Sequence, residues 1–279
     1  MNALVLRPGL ARNVVWALLA AVLVLYAFPF VYLILTSFKP PLDAISTSPA
    51  VWPQSWTLVN YRSALGTSGV PAAFINSIVT AAISTVLSLV LAVPAAYGVI
   101  RYGTYTGRLF IMLALVVRMI PPVAIGVPLV SIMARLHLTD TSFGLALAQT
   151  TISLPLSIWL MASFFEAVPP ELDEAALVDG CGRLRSLRRV IIPVVTGGVA
   201  VTALFAFLAS WNEFLFALLL TATRAGTVPI AIANFQTQYG LQWGSMTALA
   251  TLYSIPVVLL ALFLQRHIVS GMTLGAVKG

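Results

Sequence analysis

Residue types able to make or break bonds are sparse in this chain, and none is arranged to do so. The two histidines, His137 and His267, lie in different parts of the sequence. The one cysteine, Cys181, has no partner for an intrachain disulfide or a cysteine-built zinc cluster. No HExxH helix, GxSxG elbow or GxxxxGK[ST] phosphate loop is present, and with lysine only at 39 and 278 none is concealed. Polar groups concentrate in two places instead. One is the segment 166–193, where Glu166, Glu171, Asp173, Glu174 and Asp179 supply five of the eight acids, beside Arg183, Arg185, Arg188 and Arg189. The other is a scatter of positions embedded in apolar sequence: Arg118, Gln149 with Thr150, and Asn212 with Glu213. A charge in a bilayer core costs several kcal/mol unless it faces a bundle interior or a watery cavity. Groups so placed either line a path or bond helix to helix, the latter at about 0.6 kcal/mol each.

The elements that must position them follow from composition. Apolar residues make up 60% of the 279 and charged residues only 8%, far below the roughly one quarter of a soluble domain. A water-facing surface cannot be built from this chain, so it is read as an all-α membrane protein. Six apolar stretches are long enough, at ~20 residues or more, to cross a ~30 Å hydrocarbon core. They are 14–36, 74–100, 109–133, 143–165, 194–222 and 247–265. The first lacks an A-x-A cleavage site and reads as an uncleaved helix rather than a signal peptide. With the N-terminus in the cytoplasm, the inner side holds ten basic residues: Arg7, Arg12, Arg101, Arg108, Arg183, Arg185, Arg188, Arg189, Arg266 and Lys278. The outer side holds only Lys39, Arg62, Arg135 and Arg224. That asymmetry puts both termini inside, and it explains the net charge of +7 without nucleic acid, for which no basic stripe with interleaved aromatics exists. The outer segments 38–73 and 223–246 are too polar to span; the second carries Gln236, Gln238, Tyr239, Gln242 and Trp243.

The inner segment 166–193 has an ordered local logic. Pro169-Pro170 suits a helix start, where a missing N–H costs nothing. Glu171, Asp173 and Glu174 then occupy the first turn, which favours carboxylates. Gly180 can take the left-handed conformation that ends the helix. After Gly182, Leu184, Leu187, Val190 and Ile191 recur at three- and four-residue spacing, flanked by the four arginines. Two short helices outside the membrane are expected, with an apolar face that needs either a protein partner or anionic headgroups.

Glu174-Ala175-Ala176, then Gly180, then Val190-Ile191-Ile192-Pro193 resembles the EAA motif of bacterial ABC importer permeases, with valine and isoleucine at two positions where isoleucine and leucine are usual. Asn76-Ser77-Ile78, Trp211-Asn212-Glu213-Phe214 and the tail 265–279 resemble the carbohydrate branch, and within it the second permease of maltose- and trehalose-type importers. The resemblance implies a single permease domain over 1–279 with the type I importer fold. It implies coupling helices at 166–193, with Glu174, Ala175, Ala176, Asp179, Gly180 and Pro193 at an ATPase-docking surface. Asn212 and Glu213 become candidate sugar contacts, with Gln149 and Thr150, and Arg118 a candidate path or gate element. The implied partners are a second homologous permease, two ATPase subunits that hold ATP and magnesium, an external substrate-binding protein or lipoprotein, a carbohydrate and the lipid bilayer. The implied location is the bacterial cytoplasmic (inner) membrane. A secondary transporter would need more ionisable relay residues than Arg118 and Glu213, and an intramembrane enzyme needs a nucleophile–base pair or a metal that this sequence lacks.

Overall fold

The structure is a computed structural model, and it describes residues 8–44, 50–103, 105–238 and 240–274. Arg7, Tyr239, Lys278 and the end of the tail, 275–279, lie outside the described residues, as do the side chains of Arg108, Arg266 and His267. In chain order the helices are α1 (Pro8–Ser37), α2 (Pro41–Ala44), α3 (Val59–Gly66), α4 (Val70–Tyr102), α5 (Tyr105–Val117), α6 (Pro122–Arg135), α7 (Ser142–Glu166), α8 (Glu171–Val178) and α9 (Arg183–Ser186). A π-helical turn (Leu187–Ile191) leads into α10 (Ile192–Val194), α11 (Thr196–Trp211), α12 (Leu215–Leu220) and α13 (Val228–Ala233). A two-residue hairpin, β1 (Gln236–Thr237) with β2 (Gly240–Leu241), precedes α14 (Trp243–Leu274).

Among the described residues, four helices are long and apolar enough to cross a membrane, and six spans result if each sharply bent pair counts as one. The spans expected at 14–36, 74–100, 143–165 and 247–265 are the continuous helices α1, α4, α7 and α14. The other two expected spans are each interrupted rather than one continuous helix. Span 109–133 is broken into α5 and α6, bent by 89°. Arg118, Met119 and Ile120 tighten to i−3 hydrogen bonds, and Pro121 and Pro122 then offer no N–H to continue the ladder. Span 194–222 is interrupted at Asn212–Phe214, leaving α11 at 16 residues, about 24 Å, short of a bilayer core on its own. A second bend, of 85°, separates the Arg183–Val194 segment from α11 where Pro193 and the non-helical Val195 meet.

The contacts divide the chain into two compact units. The larger takes Gly69–Ala231 and the chain from Tyr253. Its heart is α4 packed along α7, with α11 against both. The α4 contact face is a stripe of small residues: Ala73, Ser77, Ala81, Ser84, Ser88, Ala92 and Ala96 are all buried, at three- to four-residue spacing. In lipid there is no hydrophobic drive to bring helices together, so close backbone approach and hydroxyl bonds do the work. Ser88 meets Ser153 of α7 at 2.6 Å, and Thr150 reaches Ser84 at 3.3 Å. Gly198 of α11 lets Phe164 of α7 approach so closely that a Cβ there would sit 2.3 Å from the ring.

The smaller unit takes the chain up to Ser68 and Ile232–Leu252. In α1 only Leu35, Thr36 and Ser37 are buried among the described side chains. The segment after it is a folded connector. Asn60 donates to the carbonyls of Ser37 (2.9 Å) and Lys39 (2.7 Å), and buried Lys39 donates to Ala50 O at 2.6 Å while sitting over the Tyr32 ring. Phe38 packs on Trp56 and Tyr61.

Candidate functional site

Helix α8 starts after Pro169-Pro170 and carries Glu171, Asp173 and Glu174 in its first turn. It stops at Gly180, whose φ of +79° is the left-handed conformation. Gly180 N–H donates to Leu177 O (3.1 Å) and Cys181 N–H to Ala176 O (2.9 Å), the paired bonds of a Schellman stop. Glu174, Ala175, Asp179 and Gly180 are exposed, and Ala176 is buried. The outward face also bears Leu172, Leu177 and Val178, the last 87% exposed. These side chains leave apolar surface uncovered on a helix outside the spans. Sequence reasoning passed over Val178 because it continues an ordinary helical run.

Beyond Gly182, Leu187 and Ile191 turn inward as their spacing suggests, whereas Leu184 faces out at 65% exposed. The π-helical turn shifts the register by one residue, so the apolar face does not continue straight back to Leu184. Arg183, Arg185, Arg188 and Arg189 line an open concavity of about 650 Å³ with Gly180, Gly182 and Leu184. Arg183 stacks over the Tyr102 ring at 4.2 Å. Pro193 is exposed, at the start of α10.

The acid that matters structurally is Asp173, which sequence analysis assigned only to the helix dipole. It is buried, and its Oδ1 accepts from Tyr97 Oη (2.6 Å) of α4 and from Ser186 Oγ (2.8 Å) of α9. Arg101 Nε lies 2.6 Å from Asp173 Oδ2, a contact held by charge rather than by an aligned hydrogen bond. The same guanidinium donates through Nη2 to Val168 O at 2.9 Å.

The other polar positions sit around the α11–α12 break. Glu213 folds back to cap α12: its carboxylate accepts from Phe216 N–H (2.7 Å) and Ala217 N–H (3.1 Å), and from Gln149 Nε2 (3.3 Å). Gln149, buried in α7, also accepts from Ser210 Oγ. Gln149 and Glu213 are thus brought together and engaged with protein groups, with Thr150 turned the other way, onto Ser84. Asn212 is exposed at the break, and its amide N–H donates to Leu208 O, 3.0 Å away. Trp211 is fully enclosed, stacked between Phe207 and Tyr253, whose hydroxyl donates to Trp211 O. Arg118 stands exposed at the α5–α6 bend rather than inside a helix core.

Elsewhere in this unit, three side chains organise residues 222–228. Asp140, itself at φ +53°, receives the N–H groups of Ala222 (2.9 Å), Thr223 (3.1 Å), Arg224 (3.1 Å) and Ala225 (3.0 Å). Desolvation would raise its pKa, but the four amide donors outweigh that and hold the carboxyl well below the usual carboxylate range. Asn76 donates to the carbonyls of Arg224 (2.8 Å) and Gly226 (3.0 Å), and Ser77 Oγ accepts from Val228 N–H at 2.9 Å. Asn76 and Ser77 of the Asn-Ser-Ile triplet are therefore loop anchors. Asp140 escaped sequence analysis because its donors lie more than 80 positions away.

Comparison with known proteins places this arrangement. Residues 84–274 match the family described as the binding-protein-dependent transport system inner membrane component. A trehalose transport system permease of Mycobacterium tuberculosis is 38% identical over 275 residues, covering 97% of this chain and 100% of that protein. A trehalose/maltose transport system permease of Thermococcus litoralis is 38% identical, covering 95% and 96% respectively. Among solved structures, a bacterial ABC transporter involved in import of the acidic polysaccharide alginate aligns with a TM-score of 0.77 at 20% identity, over 95% of this chain and 99% of that one. That likeness establishes the fold, and the family match establishes the kinship: this chain belongs to the inner-membrane permease components of binding-protein-dependent ABC transport systems.

Proposed function

We propose that this chain is the permease subunit of an ATP-driven carbohydrate importer, with a disaccharide of the trehalose or maltose type as cargo. The relatives' substrates support the cargo class. The observation that supports the mechanism is α8, an eight-residue helix with Glu174, Ala175, Leu177 and Val178 exposed and with Asp173 holding it to α4. A cytoplasmic ATPase subunit docks on that face, one such subunit serving this chain and another a second homologous permease. ATP and magnesium are bound and used by those subunits, for this sequence offers no phosphate loop. Both termini lie in the cytoplasm, following the arginine asymmetry. An external binding protein delivers sugar on the side of residues 222–246. Asn212, exposed at the helix break, is the substrate-path contact, and Gln149 with Glu213 fix the shape of that break behind it.

The test is reconstitution of the chain with its ATPase, partner permease and binding protein in vesicles, measuring uptake of labelled trehalose and maltose. ATP-dependent uptake that needs the binding protein is expected. Uptake driven by an ion gradient with the chain alone would replace this reading with a secondary transporter.

A further inference from the structure

Helix α8 is too short to hold itself in place. Isolated helices below about 12–15 residues are marginal in water, so the orientation of an eight-residue helix comes from what it touches. Only two of its residues are buried, Ala176 and Asp173. Ala176 supplies a methyl contact, which has no direction and resists neither sliding nor rotation. Asp173 supplies three polar contacts: directed hydrogen bonds from Tyr97 and Ser186, and an ion pair with Arg101. Two of them go to α4, the long helix whose small-residue stripe packs on α7.

A buried ion pair is weak evidence of stabilisation, because apolar groups of the same volume often serve as well. What the pair adds is geometry. Tyr97 and Arg101 are one helical turn apart on α4 and reach different oxygens of one carboxylate, so they fix both its position and its angle. Arg101 also holds Val168 O, in the link that leads from α7 towards α8. Tyr97 is itself braced edge-on by Phe165 and Tyr102.

We propose that Tyr97, Arg101, Asp173 and Ser186 form a clamp that joins the partner-facing helix α8 rigidly to membrane helix α4, and so sets how much of an ATPase subunit's movement reaches the membrane spans. The proposal rests on the importer reading above and names the link inside this chain on which that reading depends. These are positioning residues; none touches ATP or sugar.

The experiment uses the complete importer in vesicles with Asp173→Asn, Tyr97→Phe and Ser186→Ala. It records recovery of the ATPase subunit with the permease, the rate of ATP hydrolysis, and sugar taken up per ATP hydrolysed. The last ratio does not depend on how much complex folded, so a merely structural defect leaves it unchanged. Asp173→Asn is expected to lower it about tenfold, within the ~5–150-fold range of coupling between sites, with hydrolysis retained. Tyr97→Phe should lower it less, and the double variant no further than Asp173→Asn alone, because both remove the same connection. An unchanged ratio in Asp173→Asn overturns the clamp. If that variant does not assemble, Tyr97→Phe and Ser186→Ala, which leave the ion pair in place, decide, and an unchanged ratio in both overturns it. Failure of all three to assemble also overturns it, making the cluster a folding element. Failure of the unsubstituted permease to recover the ATPase subunit at all is a different result, and it removes the importer reading instead.

Discussion

Gly180 ends α8 at φ +79°, and a Cβ built on it would meet nothing within 4 Å. Any penalty for a larger residue there comes from backbone conformation and not from a clash. The left-handed region costs a non-glycine residue roughly 1–2 kcal/mol, and a β-branched side chain sits at the upper end. Converted at about 1.4 kcal/mol per factor of ten, that is roughly a 5–30-fold loss in the population of α8 carrying its native stop. Gly182, two residues on, is an internal control: its Cβ position is equally open, but its φ of −68° is one any residue adopts. In the reconstituted importer, Gly180→Val should cut sugar uptake and substrate-stimulated ATP hydrolysis by about that factor while the permease still inserts. Gly180→Asn should be milder, since asparagine tolerates the left-handed region, and Gly182→Ala should be close to neutral. Normal uptake in Gly180→Val, or equal damage from Gly182→Ala, would refute the reasoning.

Three further outcomes are expected. Glu213→Ala should destabilise the permease by about 0.5–2 kcal/mol through loss of the α12 cap, read as a lower unfolding temperature in detergent, and Glu213→Gln should lose less because it still presents an acceptor. Asn212→Ala should lower uptake more than it lowers assembly or basal ATP hydrolysis; loss of the assembled complex would mark Asn212 as structural. Because the Asp140 carboxyl is held below its ordinary pKa of about 3.9, its stabilisation of residues 222–225 is complete above that value and disappears as pH falls through the lower folded value. Amide exchange at Ala222–Ala225 should therefore be slow and, after correction for intrinsic rates, flat from neutral pH to about pH 4, whereas Asp140→Ala should speed it throughout that range.

How far the fold could be read depended on whether its cause was local. The long spans were legible because a bilayer demands about twenty predominantly apolar residues, and α4 and α7 each supply them without a charged residue until their last turn. The bend at Arg118–Pro122 was legible in part, as two consecutive prolines cannot continue a helix. The break at 212–214 was not, since Asn-Glu-Phe carries no helix breaker; a glutamate turning back onto Phe216 and Ala217 makes it. The same division runs through the candidate site. Gly180 was readable because a helix stop needs a particular backbone angle, and the angle is there. Asp173 was not, because an acid in a first turn looks the same whether it faces water or a tyrosine and an arginine more than seventy positions earlier.

The enclosure of Trp211 has a practical consequence. The chain has six tryptophans, and Trp16, Trp52, Trp56, Trp159 and Trp243 are all at least 42% exposed, whereas Trp211 is 1% exposed. Collisional quenchers dissolved in water or carried on lipid tails reach the five and spare the sixth. The emission that survives both quenchers is then expected from one residue, seated between Phe207 and Tyr253 at the α11–α12 break. Any rearrangement of that break during a transport cycle writes itself into the spectrum of the unlabelled protein.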